Sequence, residues 1–321
     1  MVDLGDLSPT ALVVADALAT LGLPQPRPVH PAIVAARASL DATLRHTLRL
    51  PDDALPRSWP WHDHTERVDV RYGLYRLFET LEEATVTAMR AVTLLGGRQA
   101  DAGQILSQAT QARWDLHGLL LSLAADDLDR PPGGEEWTLR ATLGHIVQTQ
   151  SRYTLNTAFW ALAAPRHDRT PADVPETPLT AREQNAAWST GTVSDIRARL
   201  DAMLDLAIGL LGDVDDAARL EALGLWVGYP VTIRFRLHRF AAHLREHTIQ
   251  VEKTLAMLGR QPTEVGRIIR IIAGAYGRLE ATVLCLPDGA LDQTFGDSRS
   301  LAELLTATAQ EVTAVAGSIA A

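Results

Sequence analysis

The chain has 321 residues, of which 46% are hydrophobic and 5% aromatic, and its formal net charge at pH 7 is −9. An acidic chain lacks the basic face that phosphate backbones require, so we expect no nucleic-acid partner. The single cysteine, Cys285, excludes an internal disulfide, and the apolar run around it favours burial. No signal-peptide pattern and no apolar stretch of membrane-spanning length are found, so we expect a cytoplasmic protein with no membrane contact.

Apolar residues recur at helical spacing along most of the chain. The predicted helices cover residues 11–21, 32–48, 68–95, 102–124, 138–164, 194–211, 231–258, 265–286 and 300–319. The sequence Ser300-Leu-Ala-Glu303 matches a capping box at the start of the last helix. The segments 51–67, 166–183 and 212–230 have loop composition, and 166–183 is long enough to form the edge of a site. No strand pattern is found, so the sequence predicts an all-α protein.

The sequence contains an apparent internal repeat. Residues 231–260 align without gaps on residues 68–97 at an offset of 163, and nine of the thirty positions are identical. If the helices of one four-helix unit are numbered 1 to 4, the helices of this chain follow the order 3-4-1-2-3-4-1-2. We predict two four-helix bundles: a continuous one over 101–260, and a second built from 1–100 plus 261–321. The expected assembly is a monomer with an internal pseudo-dimer, or a homodimer.

One predicted helix carries two histidines at metal-binding spacing. His243 and His247 are four residues apart, which places both imidazoles on one face of a helix. A divalent metal at about 2.0–2.1 Å from each nitrogen bridges such a pair. Two histidines do not complete a site, and the candidate third ligand is His145 on another predicted helix. In the aligned repeat Thr80, Ala84 and Ala307 replace His243, His247 and His145, so only the 101–260 bundle is expected to bind metal.

Several polar residues near the three histidines are candidates for supporting roles. Gln250 lies one turn beyond His247, where it would orient that ligand or contact a cofactor or substrate. Tyr153 lies two turns beyond His145 and would reach the mouth of a pocket. The sequence His243-Leu-Arg-Glu246-His247 also matches the H-x-x-E-H pattern of inverted zinc peptidases, with Glu246 as general base. That pattern needs a mixed α/β fold, which the sequence does not predict. No catalytic residue is assigned.

Three stretches resemble the DinB-like superfamily, which includes the mycothiol-dependent maleylpyruvate isomerase group. They are Leu119–Asp129, Glu136–His145 and His243-x3-His247-x2-Gln250. The resemblance covers about 101–260 and implies a four-helix bundle whose metal is bound by His145, His243 and His247. It also implies a thiol-dependent reaction, because characterised relatives often use a metal to activate a small thiol.

The sequence leaves three functional hypotheses. The first is a metal-dependent transferase or isomerase that uses mycothiol or another low-molecular-weight thiol and a small-molecule substrate. The second is a non-catalytic metal-binding stress-response bundle, whose site a fourth protein ligand would close. The third is a metal-dependent hydrolase, which requires an acid/base such as Glu246 directed into the site. Zn, Ni and Fe all accept three imidazole ligands, so the metal is left open.

Overall fold

The computed structural model describes residues 9–61, 66–163, 172, 174–178, 188–287, 289–296 and 299–320. Within these ranges the α-helices are α1 Pro9–Thr20, α2 Pro31–Thr47, α3 Val70–Leu94, α4 Asp101–Leu121, α5 Leu139–Ala158, α6 Val193–Leu211, α7 Ala217–Glu221, α8 Ile233–Met257, α9 Glu264–Val283 and α10 Leu301–Ala320. The strands are β1 Ser58–Trp61, β2 Glu66–Asp69, β3 Leu223–Trp226, β4 Tyr229–Thr232, β5 Thr294–Phe295 and β6 Arg299–Ser300. A π-helical turn, Phe159–Ala163, extends α5.

The prediction of an all-α fold is confirmed, with observed helix bounds close to those expected from the apolar periodicity. The predicted capping box is also present: the Ser300 hydroxyl accepts from the Glu303 amide, and the Glu303 carboxylate accepts from the Ser300 amide. Cys285 is buried, as its apolar surroundings indicated.

The absence of strands was predicted wrongly. Three two-stranded antiparallel hairpins occur in the described chain, and β1–β2 and β3–β4 lie in segments that were expected to be loops. Each strand of these two hairpins has four residues, which is too short for an alternating pattern to stand out from loop composition. The β3–β4 hairpin leads directly into α8, the helix that carries His243 and His247.

The chain divides into two compact units. The first comprises Met1–Pro28, Gln99–Ala109 and Ala124–Gly259, and the second comprises Val29–Arg98, Thr110–Leu123 and Arg260–Ala321. The helices α3 and α8 both have 25 residues, and α8 begins 163 residues after α3, the offset at which the sequence was aligned. The internal repeat and the division at 101–260 stay predictions.

In the first unit α5 packs against α6 and α8. Many of the side chains that these three helices bury are apolar, as expected for amphipathic helices in a bundle. The fully buried side chains of this core include Leu139, Ile146, Leu204, Leu237 and Phe240. This packing fixes α5 and α8 side by side, so residues on their adjoining faces are held at constant separation.

In the second unit α2 and α3 pack against α9 and α10. Its interior contains a charged cluster centred on Glu280 of α9, a side chain with no exposed surface. Both carboxylate oxygens accept hydrogen bonds from Arg37, at 2.8 and 2.9 Å, and Oε2 also accepts from Trp114 Nε1 at 3.1 Å. The fully buried Arg113 donates to Oε1. A buried carboxylate with this many donors satisfies the rule that interior charges are paired and hydrogen-bonded.

Candidate metal centre

His145 is positioned by the first turns of α5. The helix begins at the N-cap Thr138, whose hydroxyl accepts from the Ala141 amide. Gly144 allows the chain at Ser189 to approach α5 closely, since a Cβ at this glycine would lie 2.5 Å from Ser189 Cβ. On the same helix, Arg140 donates to the carbonyls of Ser189 and Gly191. The turn of α5 that precedes His145 is therefore held against the segment Ser189–Gly191.

His243 and His247 are positioned by α8. Its N-cap is Thr232, and the apolar side chains of Phe240, Leu244 and Val251 are fully buried against the rest of the unit. The four-residue spacing then directs both imidazoles towards α5. His243 is 4% exposed, whereas His247 and His145 are half-buried. One side of the cluster therefore faces the interior and the other is accessible.

The three imidazoles converge. Their candidate ligand nitrogens all lie within 4.8 Å of one another, and the Nε2 atoms of His145 and His243 are 3.2 Å apart. Two nitrogens bound tetrahedrally to one zinc ion at about 2.0–2.1 Å are separated by about 3.3–3.4 Å. The observed separation fits a shared metal, so these three histidines could hold a divalent ion. No Cys, Asp or Glu of the described residues joins them.

The surroundings favour the neutral form of the ligands. Burial, followed by the nearby His247, His145 and Arg239, lowers the pKa of His243 to about 2. Burial, then His247 and Arg152, also lowers the pKa of His145 below its ordinary value. An imidazole binds a metal only when one ring nitrogen is unprotonated, so both residues are in the metal-competent state at neutral pH.

This region of the chain also matches a known family. Residues 108–251 match the family model of the DinB superfamily. This match defines the DinB segment, which makes up less than half of the chain. The predicted resemblance is thus confirmed, and the DinB segment includes α5, α8 and all three histidines. No curated protein and no solved structure matches the chain.

Gln250 of the DinB segment orients His247. Its side-chain oxygen lies 2.7 Å from His247 Nδ1, so in this contact Nδ1–H donates to Oε1. That tautomer leaves the Nε2 lone pair of His247 for a metal, the usual arrangement in which a second residue fixes a ligand histidine. His243 Nδ1, by contrast, is buried without a hydrogen-bond partner in the described part of the chain.

Substitution of Gln250 tests whether its contact with His247 supports metal binding. Gln250→Leu removes the acceptor while keeping a similar volume, and we expect it to weaken metal binding by about 10–100-fold. Gln250→Glu retains an acceptor oxygen and should stay within a few-fold of the wild type. Competition with a chromophoric chelator measures both affinities. Equal affinities for Gln250→Leu and the wild type would show that the contact does not support the ligand.

Tyr153 lies beside the histidines. Its ring contacts that of His243 edge-on, with 5.4 Å between the centroids. Burial raises the pKa of Tyr153, although a hydrogen bond with Arg239 opposes the rise. The phenol is therefore protonated at neutral pH. Its predicted role in binding a cofactor, like that of Gln250, stays a prediction.

Glu246 does not face the site in the manner that the hydrolase hypothesis requires. Its carboxylate is 53% exposed, and both oxygens accept from the Arg239 guanidinium at 2.9 and 3.0 Å. A general base needs a free lone pair directed at the reacting water. The structure therefore does not show the inward-directed Glu246 carboxylate that the hydrolase hypothesis requires.

The structure adds residues that the sequence did not single out. The Trp137 ring lies against His145, with 5.3 Å between centroids, and Trp226 of β3 lies against Tyr153 at 5.0 Å. The Glu136-Trp137 sequence was noted only as part of the DinB resemblance, and Trp226 lies in a segment expected to be a loop.

Most of the 166–183 loop, the predicted edge of the site, lies outside the described residues. No described helix is long and apolar enough to cross a membrane.

Proposed function

We propose that this chain is a metal-dependent transferase or isomerase that uses a low-molecular-weight thiol. The observation that carries the proposal is the set of three convergent histidines with no fourth protein ligand among the described residues. Zinc sites with three protein ligands and one open position are catalytic, whereas structural sites are closed by four. The same observation counts against the alternative of a closed, non-catalytic metal-binding bundle.

The chemistry follows from an open position beside neutral imidazoles. A divalent metal held by His145, His243 and His247 would lower the pKa of a thiol or water bound to it towards neutrality. The residues of the chain supply the rest: Gln250 fixes the His247 tautomer, and the burial of His243 keeps its ring neutral. The thiol proton leaves to solvent, and the sulfur forms a bond to an electrophilic carbon of the substrate while the epoxide C–O bond or the alkene π bond at that carbon breaks. In a transferase the released electron pair takes up a proton from solvent and the C–S bond persists. In an isomerase rotation about the former double bond is followed by cleavage of the C–S bond, which restores the alkene and releases the thiolate.

Mycothiol is the thiol that the DinB resemblance suggests, and a zinc, nickel or iron ion is the expected metal. The partner is a small-molecule substrate. The second unit would serve as scaffold, because the aligned repeat places the buried Thr80 and Ala84 where the first unit has His243 and His247. The proposed assembly is a monomer with an internal pseudo-dimer, or a homodimer, in the cytoplasm.

A thiol-consumption assay tests this function. Protein purified without a histidine tag and loaded with Zn²⁺ or Ni²⁺ is incubated with mycothiol, glutathione or cysteine and a panel of electrophiles that includes epoxides and cis-enoic acids. We expect metal-dependent loss of thiol, or isomerisation of the alkene, that His243→Ala abolishes. A metal-loaded wild type that is inactive across all thiols and electrophiles would contradict the proposal.

A further inference from the structure

The β3–β4 hairpin is connected to the histidines through two aromatic contacts. The Trp226 ring, on the last residue of β3, lies 5.0 Å from that of Tyr153, and Tyr153 lies 5.4 Å from His243. The described contacts thus form a continuous row of rings from the hairpin to the most buried of the three histidines. An organic group bound beside His243 on the side of Tyr153 would lie next to this row of rings.

The base of the hairpin is held rigidly on the DinB segment. Gly224 lies so close to Trp160 that a Cβ would be 2.6 Å from the indole Cε3 atom. The Arg236 guanidinium lies 4.6 Å from the Trp160 ring and 5.7 Å from the Trp226 ring, and it donates to the Leu225 carbonyl. The cation–π contact with Trp226 and the hydrogen bond to Leu225 therefore join β3 to Arg236 of α8, and the contact with Trp160 joins the same arginine to the end of α5.

The hairpin points towards the histidines. Gly224 lies against Arg236, whereas Trp226, two residues further along β3, also reaches Arg239, one turn closer to His243 on α8. The strand therefore runs along α8 in the direction of the site. Its tip, Val227-Gly228, is the end of the hairpin nearest to the histidines.

The tip displays apolar side chains at a cost in stability. Val227 has φ +49° and is 83% exposed, while all other described residues with positive φ are glycines. A β-branched residue is strained in this conformation, and an exposed one recovers none of that strain by packing. Tyr229 is 73% exposed and pairs with Trp226 across the hairpin, so both rings lie on the same face. The hairpin therefore exposes an aromatic ring on the face that packs against Tyr153.

We infer that the tip of this hairpin is the specificity element of the site: Trp226, Val227 and Tyr229 bind the apolar part of the substrate. This inference rests on the proposed function, since it assumes that a reacting group occupies the open position at the histidines. It assigns the substrate class as an organic molecule with an apolar or aromatic group next to the reacting atom. Strain at Val227 is retained because the side chain is needed for binding.

Two metal-binding probes of different size test the inference without relying on catalysis. Acetohydroxamate and benzohydroxamate share one metal-binding head, and they differ in a methyl or a phenyl group. Calorimetric titration of zinc-loaded protein gives the ratio of their affinities. For the double variant Val227→Asn, Tyr229→Ser we expect the preference for the phenyl probe to fall by about five- to tenfold, because the probe loses contact with one ring. Met89→Ser, which removes an exposed apolar side chain in the second unit, is the control and should leave the ratio unchanged.

Each outcome of these titrations either supports or contradicts a role of the hairpin tip in binding substrate. A reduced phenyl preference in the tip variant supports it. An unchanged ratio with both probes bound overturns it and leaves the proposed function intact. If the tip variant instead loses self-association with its ratio unchanged, the tip contacts a second copy and the inference is wrong. If neither probe binds zinc-loaded wild type, the position at the histidines is not open, and the proposed function fails together with the inference.

The stability of the tip gives an independent check. Asn-Gly is the favoured pair for a two-residue hairpin turn in which both residues have positive φ. Val227→Asn alone should therefore raise the melting temperature by about 1–3 °C, as expected when roughly 1 kcal/mol of strain is relieved in a protein of this size. Differential scanning calorimetry measures the change. A lower melting temperature would show that Val227 stabilises the turn and would remove the argument from strain.

Discussion

Replacing His243 and His247 together with alanine is expected to abolish stoichiometric metal binding. The wild type should retain close to one equivalent of Zn²⁺ or Ni²⁺ per chain, and the double variant less than about one tenth of that, because a single remaining imidazole provides neither the chelation nor the geometry of a site. Mass spectrometry of protein purified without a histidine tag measures the metal content. His145→Ala should also lose metal, since its Nε2 atom lies 3.2 Å from that of His243.

A matched control lies on the same helix. His238 of α8 is exposed and does not belong to the histidine cluster, so His238→Ala should keep its full complement of metal. Circular dichroism of the double variant should show unchanged helix content, because the two rings contribute little to the apolar core. Equal metal content in the wild type, the His238 variant and the double variant would show that the metal is bound elsewhere.

Glu280→Gln is expected to destabilise the second unit strongly. The carboxylate has no exposed surface, and it accepts hydrogen bonds from two arginines and from Trp114. Neutralising it removes the negative charge to which the fully buried Arg113 and the nearly buried Arg37 donate their hydrogen bonds. Breaking a buried ion pair on one side typically costs about 3–5 kcal/mol, since the remaining charge stays in a medium that solvates it poorly.

Urea denaturation with a surface pair as reference measures this effect. Glu82 and Arg278 form an ion pair with 2.7 Å between oxygen and nitrogen, and both side chains are more than 40% exposed. Glu82→Gln should change the free energy of unfolding by at most about 1 kcal/mol, because solvent and side-chain entropy offset most of an exposed pair. If the two variants are destabilised equally, the Glu280 cluster does not stabilise the unit in the way described.

The helices and the histidine cluster were accessible from the sequence because both depend on local spacing. A period of 3.6 residues identified every long helix, and the four-residue interval identified His243 and His247 as neighbours. His145 was chosen because it lies on another predicted helix and is replaced, together with His243 and His247, in the aligned repeat; the DinB resemblance then implied the same ligand. The number of residues between His145 and His243 does not by itself predict that the two side chains lie close together in the fold.

Features that depend on long-range packing were missed. The Glu280 cluster joins residues from α2, α4 and α9, and no local pattern marks a glutamate as buried. The β3–β4 hairpin escaped prediction because its strands are short and Pro230 lies in one of them. With the hairpin unseen, the contact of Trp226 with Tyr153 was also missed, although Tyr153 itself had been singled out.

Titration of the cobalt-substituted protein with a small thiol shows whether the metal held by the three histidines binds a thiol. Co²⁺ replaces zinc in histidine sites, and its visible absorption reports the number and type of ligands. We predict a four-coordinate spectrum for the wild type and, on adding thiol, a new near-ultraviolet sulfur-to-cobalt absorption that saturates at one thiol per chain. His243→Ala, His247→Ala should show neither signal. Cobalt that is bound at the histidines but gives no sulfur band at any thiol concentration would contradict a thiol-using site.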